Sequence, residues 1–369
     1  MADPELLLRH PGGTTPLRVG NGILAAGVEE ADELFRGRSV FAVSSPTVLG
    51  LHRGALAPIE SRSASFRILS VPDGEEAKRL VEAERLWESL AAGGGRRDSL
   101  VVAFGGGSVG DLAGFVAAAF LRGIDCVQIP TTLLAQVDAS VGGKTGVDLV
   151  AGKNLVGAFH HPRLVLADTA LLATLPPAEL RSGLVEAIKM AALFDRSLLE
   201  RIAGDLDRLL AGDAEALVPV VRRAVEIKAA VVERDPTEQG ERQLLNYGHT
   251  LGHAIEAASG YAGIRHGEAV GWGILFANRL ARLRGVDESA LAPVDRLLER
   301  LALTPPPPLD GPRLLEFAAR DKKARAAGPT WILPDGSGGG ERVVDLPASA
   351  VAAELEAFLG FLARIRANV

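Results

Sequence analysis

Along the first half of the chain, short apolar runs rich in β-branched residues alternate with longer stretches in which apolar residues return every three or four positions. The runs 39–43, 66–71, 99–104, 126–129 and 164–167 read as strands, and helical periodicity fills 75–92 and 111–120. That alternation predicts βαβ units and a mostly parallel sheet with helices on its faces. After Pro176 the pattern changes. Amphipathic stretches at 178–194, 197–210, 214–234, 244–258, 268–284 and 289–301 predict a helical second half. Leu175-Pro176-Pro177 marks the boundary, because prolines break regular structure before a new helix begins. The expected domains are therefore 1–176 and 177–369, in keeping with roughly 150 residues per domain. Pro305 to Pro308 forms a rigid connector inside the helical half.

Composition narrows the function. Hydrophobic residues at 47% and charged residues at 23% exclude a disordered or fibrous chain. Forty basic against 46 acidic residues leave a net charge of −6, so no global basic field draws the protein to nucleic acid. Any anionic ligand must be held by a local cluster. The longest stretch without a charged residue, 39–52, falls short of the roughly 18 residues of a membrane span. The acidic start, Met1 to Glu5, lacks an apolar stretch, and the single cysteine, Cys126, cannot form an intrachain disulfide. A cytoplasmic protein acting on a small molecule is expected. The 42 glycines gather in a few clusters, and those clusters direct the search for chemistry.

The first cluster, Gly105-Gly106-Gly107-Ser108-Val109-Gly110-Asp111, follows an apolar strand and opens a helix. Such a turn lets backbone N–H groups approach a pyrophosphate at a helix N-terminus, although it is not the standard dinucleotide fingerprint. A plain strand-to-helix turn is the alternative, but three consecutive glycines cost backbone entropy that such a turn does not require. The second cluster, Gly142-Gly143-Lys144-Thr145, resembles the end of a Walker A loop, yet Asp138 stands where that motif needs glycine, which argues against an ATPase. Lys144, Lys153 and Asn154 lie near one another in a Gly-rich stretch with few acids close by in sequence. An anion site and a solvated lysine pair both fit them.

The helical half carries metal-type residues. His249 and His253 stand four apart on one helix face, His266 follows at a helix start, and Glu186 and Lys189 lie three apart on the first helix. Glutamate with two or three histidines suits a zinc ion with an open position. Histidines are more often packed or surface residues, but three of the seven fall within one short glycine-flanked stretch.

In order and spacing, 105–115, 130–145, Gly152-Lys153-Asn154, 184–189, 245–256, 266–270 and Asp321-Lys322-Lys323 resemble the 3-dehydroquinate synthase family of sugar-phosphate cyclases. The resemblance runs from about Ser39 to Asp321. It implies an α/β N-terminal Rossmann-like domain with a mostly parallel sheet, plus an all-α C-terminal metal-binding domain, an active site between them, and a homodimer. It implies the shikimate-pathway reaction on 3-deoxy-D-arabino-heptulosonate 7-phosphate. NAD transiently oxidises a hydroxyl, phosphate leaves and serves as its own base, the ketone is reduced again, and an intramolecular aldol step closes the ring. By the same resemblance Glu186, His249 and His266 are the ligands of zinc or cobalt. Lys144, Asn154, Asn246, His253 and Lys322 or Lys323 surround the phosphate, with Arg122 reaching in from the second subunit. Lys228 and Arg242 are substrate-binding cations, and Asp138 and Lys189 bind hydroxyls. Glu75, Lys78, Gly106, Gly107, Asp111, Thr131, Thr132, Lys153 and Thr174 fall at NAD-contacting positions.

The charges agree with these roles, since a substrate carrying about −3 needs a dense local group of cations. Two departures stand out. Ser45 replaces an acid expected near the adenosine ribose, which weakens the argument for NAD over NADP. The run Gly336-Ser337-Gly338-Gly339-Gly340 stands where the family has a compact hairpin and is expected to be a flexible loop. Two other activities remain in view: a cyclase acting on sedoheptulose 7-phosphate or a similar sugar phosphate, and a metal-dependent oxidoreductase of the glycerol-dehydrogenase type, which would accumulate NADH. A catalytically dead NAD-binding protein would have lost metal or phosphate ligands, and none is lost.

Overall fold

A computed structural model describes residues 6–260, 263–320 and 329–367. Its strands are β1 (Leu6–His10), β2 (Gly13–Gly20), β3 (Ser39–Ser44), β4 (Ser65–Ser70), β5 (Leu100–Gly105), β6 (Asp125–Pro130), β7 (Lys144–Leu149), β8 (Gly152–Phe159), β9 (Leu164–Asp168), β10 (Trp331–Pro334) and β11 (Gly340–Val343). In the first half the helices are α1 (Leu24–Glu30), α2 (Pro46–His52), α3 (Ala57–Glu60), α4 (Leu80–Ala92) and α5 (Gly107–Ala119). The second half contains α6 (Pro177–Phe194), α7 (Arg196–Leu210), α8 (Ala214–Arg234), α9 (His249–Ala258), α10 (His266–Leu283), α11 (Glu288–Arg300), α12 (Gly311–Arg320) and α13 (Ala348–Ala367).

Contacts divide the chain into two compact units, one comprising 1–180 with 208–236 and the other 181–207 with 237–369. The expected cut after Pro176 therefore needs correcting at α8. The apolar face of that helix packs on β1 and β2 of the first unit, so residues 208–236 return to it although the chain has already left.

The first unit is built on a seven-stranded sheet in the order β1-β2-β9-β6-β5-β3-β4. Only the β1–β2 pair is antiparallel. Both faces are covered, and the pleat sorts residues between them: Phe41, Val43, Val101 and Ala103 pack with α4 and α5, while Val40, Ala42, Val102 and Phe104 pack on the opposite side. This explains why these strands read as continuous apolar runs. The chain runs from β3 outward to β4 and then back across to β5, so a topological switch lies between β3 and β5. Ligands bind at the carboxyl ends of strands at such a point.

In the second unit α9 lies against α10, and the core continues through Phe276, Trp331 and Phe358, whose ring centroids are 5.5 Å apart along the chain of contacts. The expected flexible loop at 336–340 is instead the turn of a hairpin. β10 and β11 pair with Trp331 opposite Val343, and the Asp335 carboxylate accepts from the Ser337 and Gly339 N–H groups at 2.8 and 3.1 Å. The glycines serve the turn's backbone: Gly336 and Gly338 have φ of 83° and 92°. The helical half thus also carries a two-stranded sheet.

Candidate active site

In the first unit, the expected nucleotide-binding residues collect at the carboxyl ends of the strands. The glycine turn follows β5, and α5 begins at Gly107 with Gly106 as N-cap and no side chain capping it. Its first-turn N–H groups thus remain available to an anion. A Cβ on Gly105 would lie 2.7 Å from the Val109 Cβ, so the turn admits no larger residue without shifting the helix start. Thr131 follows β6 and donates its N–H to Gly105 O at 2.9 Å. The hydroxyls of Thr131, and of Ser44 at the end of β3, are buried and have no hydrogen-bond partner. Orphaned buried hydroxyls on these strand ends suit a polar ligand such as a dinucleotide. Thr132 Oγ1 accepts from Ala135 N at 3.2 Å, and Thr174 Oγ1 lies 2.8 Å from His52 Nε2.

Lys78 is buried among acids that the sequence leaves far apart. Its Nζ donates to Asp111 Oδ2 at 2.8 Å and to Asn154 Oδ1, with Asp148 and Glu75 oxygens at 3.9 and 4.0 Å. Burial alone would lower its pKa, but these carboxylates more than offset that and raise it. Burial raises the pKa of Asp111 despite Lys78. Glu75 also meets Lys153, at 3.3 Å. Burial opposes ionisation of Glu75, yet Lys78 and Lys153 hold its pKa below the usual range, while burial raises that of Asp148. The sparsity of acids around Lys153 and Asn154 in sequence thus does not carry over to space.

Asp148 is a residue that sequence reasoning missed. It accepts the Asn154 N–H at 2.7 Å and so closes the β7–β8 hairpin around a backbone with φ of 52° at Asn154. Its only sequence signal is a lone acid between Val147 and Leu149. Lys144 opens β7 and is exposed, and Asn154 lies on β8, so the hairpin brings the two expected phosphate-holding residues onto one element. Asp138 sits in a short helical turn, Ala135–Ala139, where Lys228 of α8 donates both to its backbone carbonyl and to its carboxylate. This pairing is why the position of α8 matters. Arg122 is exposed, with φ of 68° following Leu121 at 50°.

In the second unit α9 and α10 meet at glycines. Gly248 precedes α9 with φ of 82°, and a Cβ on Gly273 would fall 1.9 Å from Gly248 O. That close approach sets His249 and His253 of α9 against His266, the first residue of α10. The His249 and His266 ring centroids are 5.4 Å apart, and those of His253 and His266 are 5.9 Å apart. Glu186 of α6 is fully buried between neighbours of its own unit. Its Oε1 lies 3.9 Å from His249 Nε2 and 3.6 Å from His266 Nε2. Neither Glu186 oxygen has a well-aligned hydrogen bond, although Lys189 forms an ion pair with it. A buried carboxylate with no well-aligned hydrogen bond, facing two imidazole nitrogens, fits a divalent metal, and one ligand atom from each of the three residues lies within 4.8 Å of the others. His253, Glu256 and His266 form a second such group.

Glu256 was not singled out by sequence. Its Oε2 lies 3.0 Å from His266 Nδ1. Burial pulls the His266 pKa down, but Glu256 and then Glu186 outweigh it, and the net shift is upward. Arg242 is almost wholly buried, and Asn246 donates to Glu238 Oε1 at 2.7 Å and Gln243 O at 3.0 Å. Lys322 and Lys323 lie outside the described residues.

Two family descriptions match consecutive parts of the chain, 3-dehydroquinate synthase N-terminal over residues 68–182 and 3-dehydroquinate synthase C-terminal over 183–324. The 3-dehydroquinate synthase of Symbiobacterium thermophilum is 45% identical over 325 residues, covering 86% of this chain and 90% of that protein. Among solved structures, a 2-deoxy-scyllo-inosose synthase complexed with carbaglucose-6-phosphate, NAD+ and Co2+ is 27% identical with a TM-score of 0.87, covering 96% of this chain and 99% of that one. The 2-epi-5-epi-valiolone synthase of Streptomyces hygroscopicus subsp. jinggangensis, with NAD+ and Zn2+ bound, is 30% identical with a TM-score of 0.85, covering 95% and 97%.

Proposed function

We propose that this chain, which belongs to the 3-dehydroquinate synthase family, converts 3-deoxy-D-arabino-heptulosonate 7-phosphate to 3-dehydroquinate and inorganic phosphate. The observation that carries the reading is the buried Glu186 carboxylate facing His249 and His266, in a chain 45% identical to a 3-dehydroquinate synthase. The solved 2-deoxy-scyllo-inosose synthase and 2-epi-5-epi-valiolone synthase share the fold at lower identity, 27% and 30%.

Glu186, His249 and His266 would hold zinc or cobalt, and the Gly105–Gly107 turn with Glu75, Lys78, Asp111, Thr131, Thr132, Lys153 and Thr174 would hold NAD. When bound, the metal polarises the hydroxyl that is oxidised, and NAD accepts a hydride and later returns it.

The remaining chemistry belongs to the chain's own side chains. Lys144 and Asn154, presented by one hairpin, hold the phosphate and stabilise the charge it gains on leaving. Lys228 fixes the Asp138 carboxylate, which then accepts from a substrate hydroxyl. Arg242 offers a fork matched to the substrate carboxylate, and its burial strengthens that contact. Lys189 keeps its ammonium beside Glu186 and donates to a second hydroxyl. Asn246, held through its amide by Glu238, and His253 complete the phosphate-binding group, together with Lys322 or Lys323.

We read the enzyme as a homodimer in which Arg122 serves the partner's site. What supports this is the exposed apolar face of the β7–β8 hairpin, with Leu149, Val150, Leu155 and Phe159, and the left-handed backbone that presents Arg122 outward. No helix among the described residues is long and apolar enough to cross a membrane. A single buried cysteine supports a cytoplasmic setting.

The deciding experiment supplies the heptulosonate phosphate with substoichiometric NAD and a divalent metal, and follows phosphate release and NADH absorbance together. Many turnovers of phosphate without NADH accumulation are expected. Equimolar NADH would favour an oxidoreductase, and no phosphate release would overturn the reading.

A further inference from the structure

We infer that Glu256 is a positioning residue for the metal centre, fixing the tautomer of His266, an inference that rests on Glu186, His249 and His266 being the ligand set. The two nitrogens of His266 face different partners. Nδ1 lies 3.0 Å from Glu256 Oε2, whereas Nε2 lies 3.6 Å from Glu186 Oε1. An ionised carboxylate accepts hydrogen bonds and donates none, so Glu256 places the imidazole proton on Nδ1 and leaves the Nε2 lone pair free for a cation.

His249 is oriented the same way by a different group. Its Nδ1 lies 3.3 Å from the Tyr247 carbonyl, and its Nε2 lies 3.9 Å from the same Glu186 oxygen. A carbonyl also only accepts. Both imidazoles therefore present Nε2 toward one carboxylate, and the acceptor behind His266 carries a full negative charge, which makes that imidazole the more basic ligand.

Glu256 could instead be a ligand itself, together with His253 and His266, since their atoms also converge. Two observations argue against this. Glu256 already engages Nδ1 of His266 at 3.0 Å, and that arrangement would leave both Glu186 oxygens buried without aligned donors.

The test uses full-length wild type, Glu256→Ala, Glu256→Gln and His253→Ala. Zinc affinity is measured by competition with a chromophoric chelator, and the His266 Nδ1 proton is followed by NMR in the zinc-loaded protein. Wild type should show a slowly exchanging downfield Nδ1 proton. In Glu256→Ala that proton should vanish and zinc binding should weaken about 10–100-fold while one zinc still binds. Glu256→Gln, which retains an acceptor oxygen, should keep the proton and lose less affinity, and it carries the test if the alanine variant does not fold. Unchanged affinity and an unchanged Nδ1 proton in Glu256→Ala would overturn the inference. Loss of stoichiometric zinc in both Glu256→Ala and His253→Ala would also overturn it, by making both residues ligands. Wild type that binds no zinc would remove the ligand set itself.

Discussion

Replacing Gly273 by alanine probes the contact that assembles the metal centre. The added Cβ would sit 1.9 Å from Gly248 O, 2.9 Å from Gly248 C and 3.0 Å from Gly252 N, where ordinary contact begins at 3.4 Å. All three atoms are backbone, so no side chain can swing away. The helices α9 and α10 must part by on the order of 1.5 Å, because packed interiors have no slack to absorb a methyl group. That displacement acts directly on the pair His249 and His266, one on each helix. Metal–nitrogen bonds tolerate only about 0.2 Å of error, so the ligand set cannot follow the shift without losing a bond. Overpacking should cost about 1–3 kcal/mol of stability, and zinc affinity should fall at least tenfold. Urea unfolding of the metal-free protein and chelator competition measure the two effects separately. Gly204→Ala is the matched control: it lies in the middle of α7, exposed, with nothing within 4 Å of the added carbon. There alanine should stabilise by about 0.5–1 kcal/mol through its higher helix propensity. Wild-type stability and zinc affinity in Gly273→Ala would refute the claim that this contact sets the distance between the histidines.

Other outcomes follow from the same geometry. Lys144→Ala, exposed at the start of β7, should leave the fold intact and lower kcat/KM by about 2–4 kcal/mol of transition-state stabilisation; near-normal kinetics would make the Gly-Gly-Lys stretch purely structural. His266→Ala should lose tight zinc binding, whereas His253→Ala should keep the metal and lose turnover; the reverse pattern would exchange their roles. Val150→Asp, at the exposed tip of the β7–β8 hairpin, should shift sedimentation toward monomer without unfolding the chain. His52 and His10 should make stability fall on acidification below about pH 6.5, against an opposing contribution from His266, whose pKa is raised. Burial lowers the pKa of His52, and burial with nearby Arg163 lowers that of His10, so the unfolded chain takes up these protons first as pH drops. Their contribution is fully present above the unfolded value of 6.5 and is lost as pH falls toward the folded pKa values. The difference between wild-type and His52→Gln urea midpoints isolates the His52 part and should decline from pH 7.5 to 5; a difference independent of pH would refute it.

The sequence by itself determined the parallel sheet, the glycine turn at its carboxyl edge, most of the helices that follow and the family. Strands buried on both faces leave uninterrupted apolar runs such as 100–104, and amphipathic helices leave a 3.6-residue period, so both kinds of element announce themselves locally. Hairpins were less legible. β1–β2 and β7–β8 are half-exposed and carry mixed residues, and the Gly336–Gly340 run reads as flexible until Asp335 is seen binding its N–H groups. Only the tertiary structure decided where long-range partners meet. Spacing of four residues places His249 and His253 on one helix face, but it cannot bring Glu186 from a helix some sixty residues earlier, nor turn His266 toward both Glu186 and Glu256. The same holds for Asp148 on Asn154, and for Lys228, which returns on α8 to hold Asp138. The reason is physical: periodicity records which face of an element is buried, whereas a charged or metal-binding group is placed by what packs against that face, and that partner can come from anywhere in the chain.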